Sequence, residues 1–417
     1  MKNHNDTAVP VIRTERFESL DVLRGFALLG ILVINIQLFA MPEAAYSNPS
    51  VWGDLSGINY LVWLLSHVLA DQKMMTIFSM LFGAGIVLFI ERAEQRTDGA
   101  VGLHLRRSFW LLLFGVLHAY LLWYGDILVL YGLCAFVVVW FRRWRPVTLI
   151  LVGTAFLAVS TCIYLYAGWS MPYWPEEVRT AFLAETWQPE RDSTAAEIDA
   201  YRGGWLDQMA HRVPAALAMQ TFVFLIWGFW RAAGLMLIGM ALYKLGVFSA
   251  QRAPAFYTGL IVVGLLLGVP LVGYGVHWNF ANDWGPLSLF YGSQFNYWAS
   301  VPVSLAWVAL VMLACQRQLL PRLLARLAAV GRTAFSNYIL QTLICTGIFY
   351  GHGLGLFADV SRIGQIGIVL AVWIVQLLVS PLWLRHFRFG PLEWLWRCLT
   401  YWQWLGMRTT APAGKLA

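Results

Sequence analysis

Apolar stretches of about 20 residues recur along the whole chain, and arginines gather in the short segments between them. Hydrocarbon offers no partner to a backbone N–H or C=O, so a stretch of that length crosses a bilayer as a helix that satisfies itself. Only 12% of the 417 residues are charged and 59% are hydrophobic, against about 25% charged in soluble domains. Reading in order gives spans near 20–40, 74–90, 108–124, 127–141, 146–167, 229–245, 254–276, 301–315, 333–350 and 363–384. The expected fold is all-α, a polytopic membrane helix bundle of about ten transmembrane helices with both termini cytoplasmic.

Two regions, 58–92 and 213–247, exceed one plain span and leave the count open to eleven or twelve. In the first, Asp71-Gln72-Lys73 interrupts the apolar run, so 58–70 reads as an outer or re-entrant helix. In the second, two crossings would place Lys244 and Arg252 outside; one crossing keeps them with the other cytoplasmic cations. The domain reading is a cytoplasmic segment at 1–18, one transmembrane domain at 19–404 and a cytoplasmic tail at 405–417. An outer insertion at 168–212 carries eight Asp or Glu and four Arg.

The net charge of +7 sits largely in inter-helix loops. Positive-inside topology accounts for it, and nucleic acid is not an expected partner. The five cysteines have no paired spacing, no metal-binding pattern is present, and the first apolar run reads as a retained helix. Multi-pass insertion in a membrane is the expected location.

Polar side chains inside apolar runs are the candidates for function, because lipid penalises them. Asp21 and Arg24 share a face of the first helix, and Asn35 returns to nearly that face about 16 Å further on. Asp21 and Arg24 have a helix-capping ion pair as their alternative reading, and Asn35 reads equally as an interhelical hydrogen bond. His67 and Asp71, four apart, can meet on one face and orient an imidazole, with Lys73 beside them. His118 and Asp126 flank an outer hairpin, as a rim to an entrance or as ordinary turn chemistry. Arg231 requires a partner, with Asp126 and Asp71 as the nearest choices by type. Asn337 and Gln341 face the bundle, with Arg332 close by, as cavity lining or as interhelical hydrogen bonds. His277 and His352 read as solvent-facing.

Several segments resemble the YeiB-type bacterial membrane proteins: 19–27 (SLDVLRGFA), 73–85 (KMMTIFSMLFGAG), 123–131 (WYGDILVLY), 331–341 (GRTAFSNYILQ) and 387–396 (FRFGPLEWLW). The resemblance covers nearly the whole chain. The first helix is also similar to that of the transmembrane acyltransferase superfamily, in which an Arg followed eleven residues later by a His marks the site of the bacterial sugar O-acyltransferases. Here Arg24 is followed by Asn35. The lysosomal heparan glucosaminide acetyltransferase is similar in having Asn there, with its His on the outer segment that follows. The nearest histidine here is His67.

That resemblance implies transfer of an acyl group from cytoplasmic acyl-CoA to an acceptor at the outer face. It gives His67 as base, assisted by Asp71, and Asn35 as oxyanion or positioning group. Asp21, Arg24, Lys73, Arg231, Arg332, Asn337 and Gln341 become binding residues, with Arg106 and Arg107 as further phosphate partners and His118 and Asp126 as the outer rim. Acyl-CoA is the implied donor and no metal is implied. Membrane lipids and a lipid-linked or glycan acceptor are the implied partners, and a homodimer is compatible with it. The intramembrane cations also suit a second function, transport of a small anionic or amphipathic solute.

Overall fold

The structure, a computed structural model, describes residues 18–409; residues 1–17 of the segment read as cytoplasmic at 1–18, and residues 410–417 of the tail read at 405–417, lie outside the described residues. In chain order the helices are α1 (Glu18–Ala40), α2 (Ala44–Ser47), α3 (Gly57–Leu69), α4 (Lys73–Glu94), α5 (Ala100–Leu121) and α6 (Leu128–Val138). They continue as α7 (Pro146–Ser170), α8 (Glu176–Thr186), α9 (Arg191–Arg202), α10 (Met209–Ala218), α11 (Phe229–Lys244) and α12 (Pro254–Val263). The last are α13 (Val269–Ala281), α14 (Ser293–Gln316), α15 (Pro321–Arg332), α16 (Ala334–Phe349), α17 (Arg362–His386) and α18 (Pro391–Tyr401).

Among the described residues, eight helical runs are long and apolar enough to cross a membrane, and the shorter apolar helices 128–141 and 334–349 bring the passes to ten. No β-strand occurs among them. The two overlong regions resolve differently. π-helical turns at Met219–Gly228 keep α10 and α11 in one continuous run from Met209 to Lys244, so that region crosses once. At 70–72 the helix breaks instead: Ala70 N and Asp71 N both donate to Ser66 O, and Gln72 takes a left-handed φ of 61°. A non-glycine residue rarely sits there. The break turns Asp71 and Lys73 toward the bundle.

Small residues set the closest helix crossings, as expected where lipid supplies no hydrophobic drive between helices. A Cβ on Gly25 of α1 would lie 2.0 Å from Leu327 O of α15, and one on Gly331 would lie 1.9 Å from Asp21 O. Gly83 of α4 and Gly239 of α11 form a second reciprocal pair, each with backbone oxygen 2.0 Å from where a Cβ would stand. These contacts lock α1, α4 and α11 into the centre and pin the end of α15 to α1, while α7, α12 and α13 present many exposed apolar side chains outward.

One end of the bundle collects the cations. Arg142 and Arg143 reach Glu94 at 3.6 and 3.1 Å, Lys244 donates to Trp144 O, and Arg107 lies between the Phe89 and Trp396 rings. The start of α1 is at this end too, with Ser19 donating to Phe248 O at 2.8 Å. The positive-inside rule makes it the cytoplasmic face. α8 and α9 fold over the opposite, outer face. Glu393 of α18 receives Phe335 N, Ser336 N and the Ser336 hydroxyl, so an interfacial helix caps the start of α16.

Candidate functional site

The break between α3 and α4 brings His67, Asp71 and Lys73 together with Arg231. His67 Nδ1 lies 3.0 Å from Asp71 Oδ2. A carboxylate can only accept, so Nδ1 carries the proton and Nε2 is left as the basic nitrogen. The two side chains remain 18% and 16% exposed, enough for a reactant to reach them. Trp63 stacks on the imidazole at 5.3 Å between centroids and fixes its plane. Tyr46 of α2 donates to Asp71 Oδ1 at 3.2 Å. Burial, and then the Asp71 charge, push the Tyr46 phenol well above its usual range, so it stays a donor.

Lys73 and Arg231 have no solvent exposure. Lys73 donates to His67 O at 2.7 Å and to the Asn296 side-chain oxygen. Asn296 in turn donates from Nδ2 to Asp71 Oδ2 at 2.8 Å, so one amide links the ammonium to the carboxylate. Arg231 donates to Tyr297 O at 3.2 Å, Thr76 Oγ1 at 3.0 Å and Ser300 Oγ at 2.7 Å, and lies over the Tyr297 ring at 4.5 Å. Neither Asp126 nor Asp71 pairs with it, contrary to the sequence expectation. Neutral oxygens and a ring face hold the guanidinium, because α14 lines this side of α11 with Ser300 and Tyr297 rather than acids.

His118 and Asp126 are not an exposed rim. Both side chains are 1% exposed; His118 Nδ1 meets Asp126 Oδ1 at 2.8 Å, and Nε2 meets Thr342 Oγ1 at 2.9 Å. The order carboxylate, imidazole, hydroxyl is that of a nucleophile relay, but it is sealed. It clips α5 to α16, while the second Asp126 oxygen takes Val129 N at the start of α6. The reading of Asp126 as a capping turn residue holds through Val129 N, whereas the contact through His118 to Thr342 is not legible because Thr342 lies on a helix far along the chain.

The remaining candidates do not converge on His67. Arg24 pairs with Asp21 at 2.7 Å and donates to Gly331 O at 3.4 Å, at the cytoplasmic end where Arg332 closes α15. Asn337 donates to Ser380 and Thr333, and Gln341 to Gln376, whose amide donates back to Asn337 O. That ladder joins α16 to α17, which is the interhelical role of this pair. Asn35 is partly buried and joins none of these networks. His277 and His352 are exposed. Among the described residues no group of three His, Cys, Asp or Glu is arranged to hold a metal. Sequence reasoning missed Asn296, Tyr46, Trp63, Ser300 and Thr342, whose roles appear only on folding; Asn296 signals itself only as an amide at the start of an apolar run.

The fold and these buried polar groups define a polytopic helical membrane protein whose charged centre lies at a helix break in its outer half. The chain belongs to the YeiB family. It is 32% identical over 409 residues to "Uncharacterized protein YeiB" of Escherichia coli (strain K12), covering 96% of this chain and 98% of that one. It is also 32% identical over 414 residues to "Uncharacterized protein YxaH" of Bacillus subtilis (strain 168), with 95% and 96% covered. A 39.9 kDa protein encoded in the amylase 3' region of Bacillus acidopullulyticus is 27% identical, with 94% and 96% covered. The family described as "Protein of unknown function (DUF418)" matches residues 242–403.

Proposed function

We propose that this protein is an integral membrane acyltransferase that moves an acyl group from cytoplasmic acyl-CoA to an acceptor at the outer face. The His67–Asp71 pair carries the reading: an oriented, reachable imidazole beside a buried ammonium. His67 Nε2 takes the proton of an acceptor hydroxyl or amine as its oxygen or nitrogen attacks the thioester carbonyl. The oxyanion that forms is stabilised by the positive charge of Lys73, which is held behind the imidazole by bonds to His67 O and Asn296. When the intermediate collapses, the C–S bond breaks and the thiolate takes the proton back from His67.

The geometry sets a demand on the donor. Gly30 of α1 packs on Met74 of α4, and Arg24 lies six residues, about 9 Å of helix rise, nearer the cytoplasmic face, so His67 lies across the 70–72 break from that crossing. Of the cytoplasmic arginines, Arg24 is paired with Asp21 and Arg107 is held between two rings. A donor with its phosphates at that face reaches His67 only through a thioester arm threaded into the bundle.

The test uses proteoliposomes with radiolabelled acetyl-CoA on the arginine-rich side and bacterial membrane lipid and glycan extracts on the other. Label in an acceptor, with matching release of CoA thiol, is the expected result. No thiol release with any extract would sink the reading.

One observation favours a second function, transport of a small anion. Among the described residues no carboxylate contacts Arg231, and Lys73 meets Asp71 only through Asn296, so buried positive charge exceeds its direct compensation. Anion flux in the same vesicles without acyl-CoA would favour it over transfer.

A further inference from the structure

A second polar cluster, which acyl transfer does not use, lies at the outer ends of α5, α9, α10 and α16. Glu197 of α9 and Glu43, just ahead of α2, bracket His211 of α10, whose Nε2 lies 3.5 Å from Glu197 and 3.6 Å from Glu43. Glu43 N donates to Glu197 Oε1 at 2.9 Å, which sets the two carboxylates side by side. Two phenol rings lie against His211, and a third packs on one of them. The Tyr201 ring is 5.3 Å from His211 and 4.7 Å from Tyr350, and the Tyr124 ring is 6.4 Å from His211.

The Tyr201 residue is 1% exposed and Tyr350 is fully buried, yet neither hydroxyl has a hydrogen-bond partner among the described residues. Buried hydroxyls rarely go unsatisfied. Burial above all, and the charges of Glu197 and Glu43, hold the Tyr124 and Tyr201 phenols well above their usual range, so they are neutral. The other charged groups nearby are committed elsewhere. Arg212 donates to Leu121 O at 3.0 Å and to Gln208, and Arg202 pairs with Asp359. His352, the remaining titratable side chain, is exposed and meets Gln208 at 3.2 Å.

Two carboxyl groups and the Tyr124 and Tyr201 rings therefore gather about His211, with the unpartnered Tyr201 and Tyr350 hydroxyls in the same buried cluster. The complementary group has several N–H donors, no acceptor and a positive charge. We propose that this cluster binds a primary ammonium group, in competition with the protonated His211 ring that lies between the carboxylates. The ammonium could belong to a soluble amine or to the ethanolamine headgroup of an outer-leaflet lipid. The inference stands whether or not His67 transfers acyl groups.

The test titrates methylammonium chloride into the full-length protein in phosphatidylcholine nanodiscs, with tetramethylammonium chloride at equal ionic strength as control. Intrinsic fluorescence and thermal stability are the readouts. A saturable response to methylammonium alone is expected, weakened about tenfold or more in Glu197→Gln. In His211→Gln the affinity should rise, because the competing imidazolium is gone; a purely structural ion pair predicts no gain. In phosphatidylethanolamine nanodiscs a suppressed response assigns the site to the lipid headgroup, and an undiminished one assigns it to a soluble amine. Absence of saturable binding in phosphatidylcholine, equal binding by folded Glu197→Gln, or weaker binding by His211→Gln would overturn the proposal.

Discussion

Glu197 lies against the Glu43 backbone and His211 with its side chain 10% exposed, and burial raises its carboxyl to about 7. In the unfolded chain it titrates near 4.3. The folded state therefore holds this proton more tightly, and the Glu197 contribution to stability falls as pH rises from about 4.5 to 7. Glu197→Gln, which cannot ionise, should flatten that part of the curve. Apparent melting temperature between pH 5 and 8 measures it, and identical slopes for the two proteins would contradict the assignment. Part of this residue-scale picture was legible in the sequence and part was not. His67 and Asp71 stand four apart on a helix end, so their contact follows from local spacing. Asn296, which joins Lys73 to Asp71, is 223 residues from Lys73, and no local pattern connects them. Glu43, Glu197 and His211 belong to three separate segments and were invisible for the same reason.

At the scale of elements, glycine placement decides which helices touch. Gly25 and Gly331 let α1 and α15 meet backbone to backbone, whereas Gly85 of α4 and Gly102 of α5 have nothing within 4 Å of a built Cβ. Gly25→Leu should force the pair apart and cost about 3 kcal/mol or more. Gly85→Ala should be neutral within about 0.5 kcal/mol or slightly stabilising, since alanine is the better helix former. Thermal unfolding in detergent separates the two, and equal losses would show that the α1–α15 crossing does not depend on close approach. The spans themselves were readable from apolar length, because the bilayer imposes it. The π turns in 219–228 were not, since a helix that carries one extra residue per turn keeps the same hydrophobic composition.

Across the whole molecule, ten passes place an arginine-rich face and an acidic face at opposite ends, with the polar groups sorted by depth. Asp21, Arg24 and Arg332 belong to the first face, the Asn337–Gln341–Gln376 ladder to the interior, and His67, Asp71, Lys73 and Arg231 to the outer half. The row on α1 that stands out in the sequence is therefore not one site: Arg24 is tied to α15, and Asn35 points into none of the networks. The chemistry proposed rests on the break after α3 instead. Its most direct test is the rate of acyl transfer in proteoliposomes by His67→Gln against the parent protein, with equal insertion verified for both. Loss of a general base predicts a fall of about 10²–10⁴-fold. A His67→Gln protein that transfers at the parental rate would contradict the account.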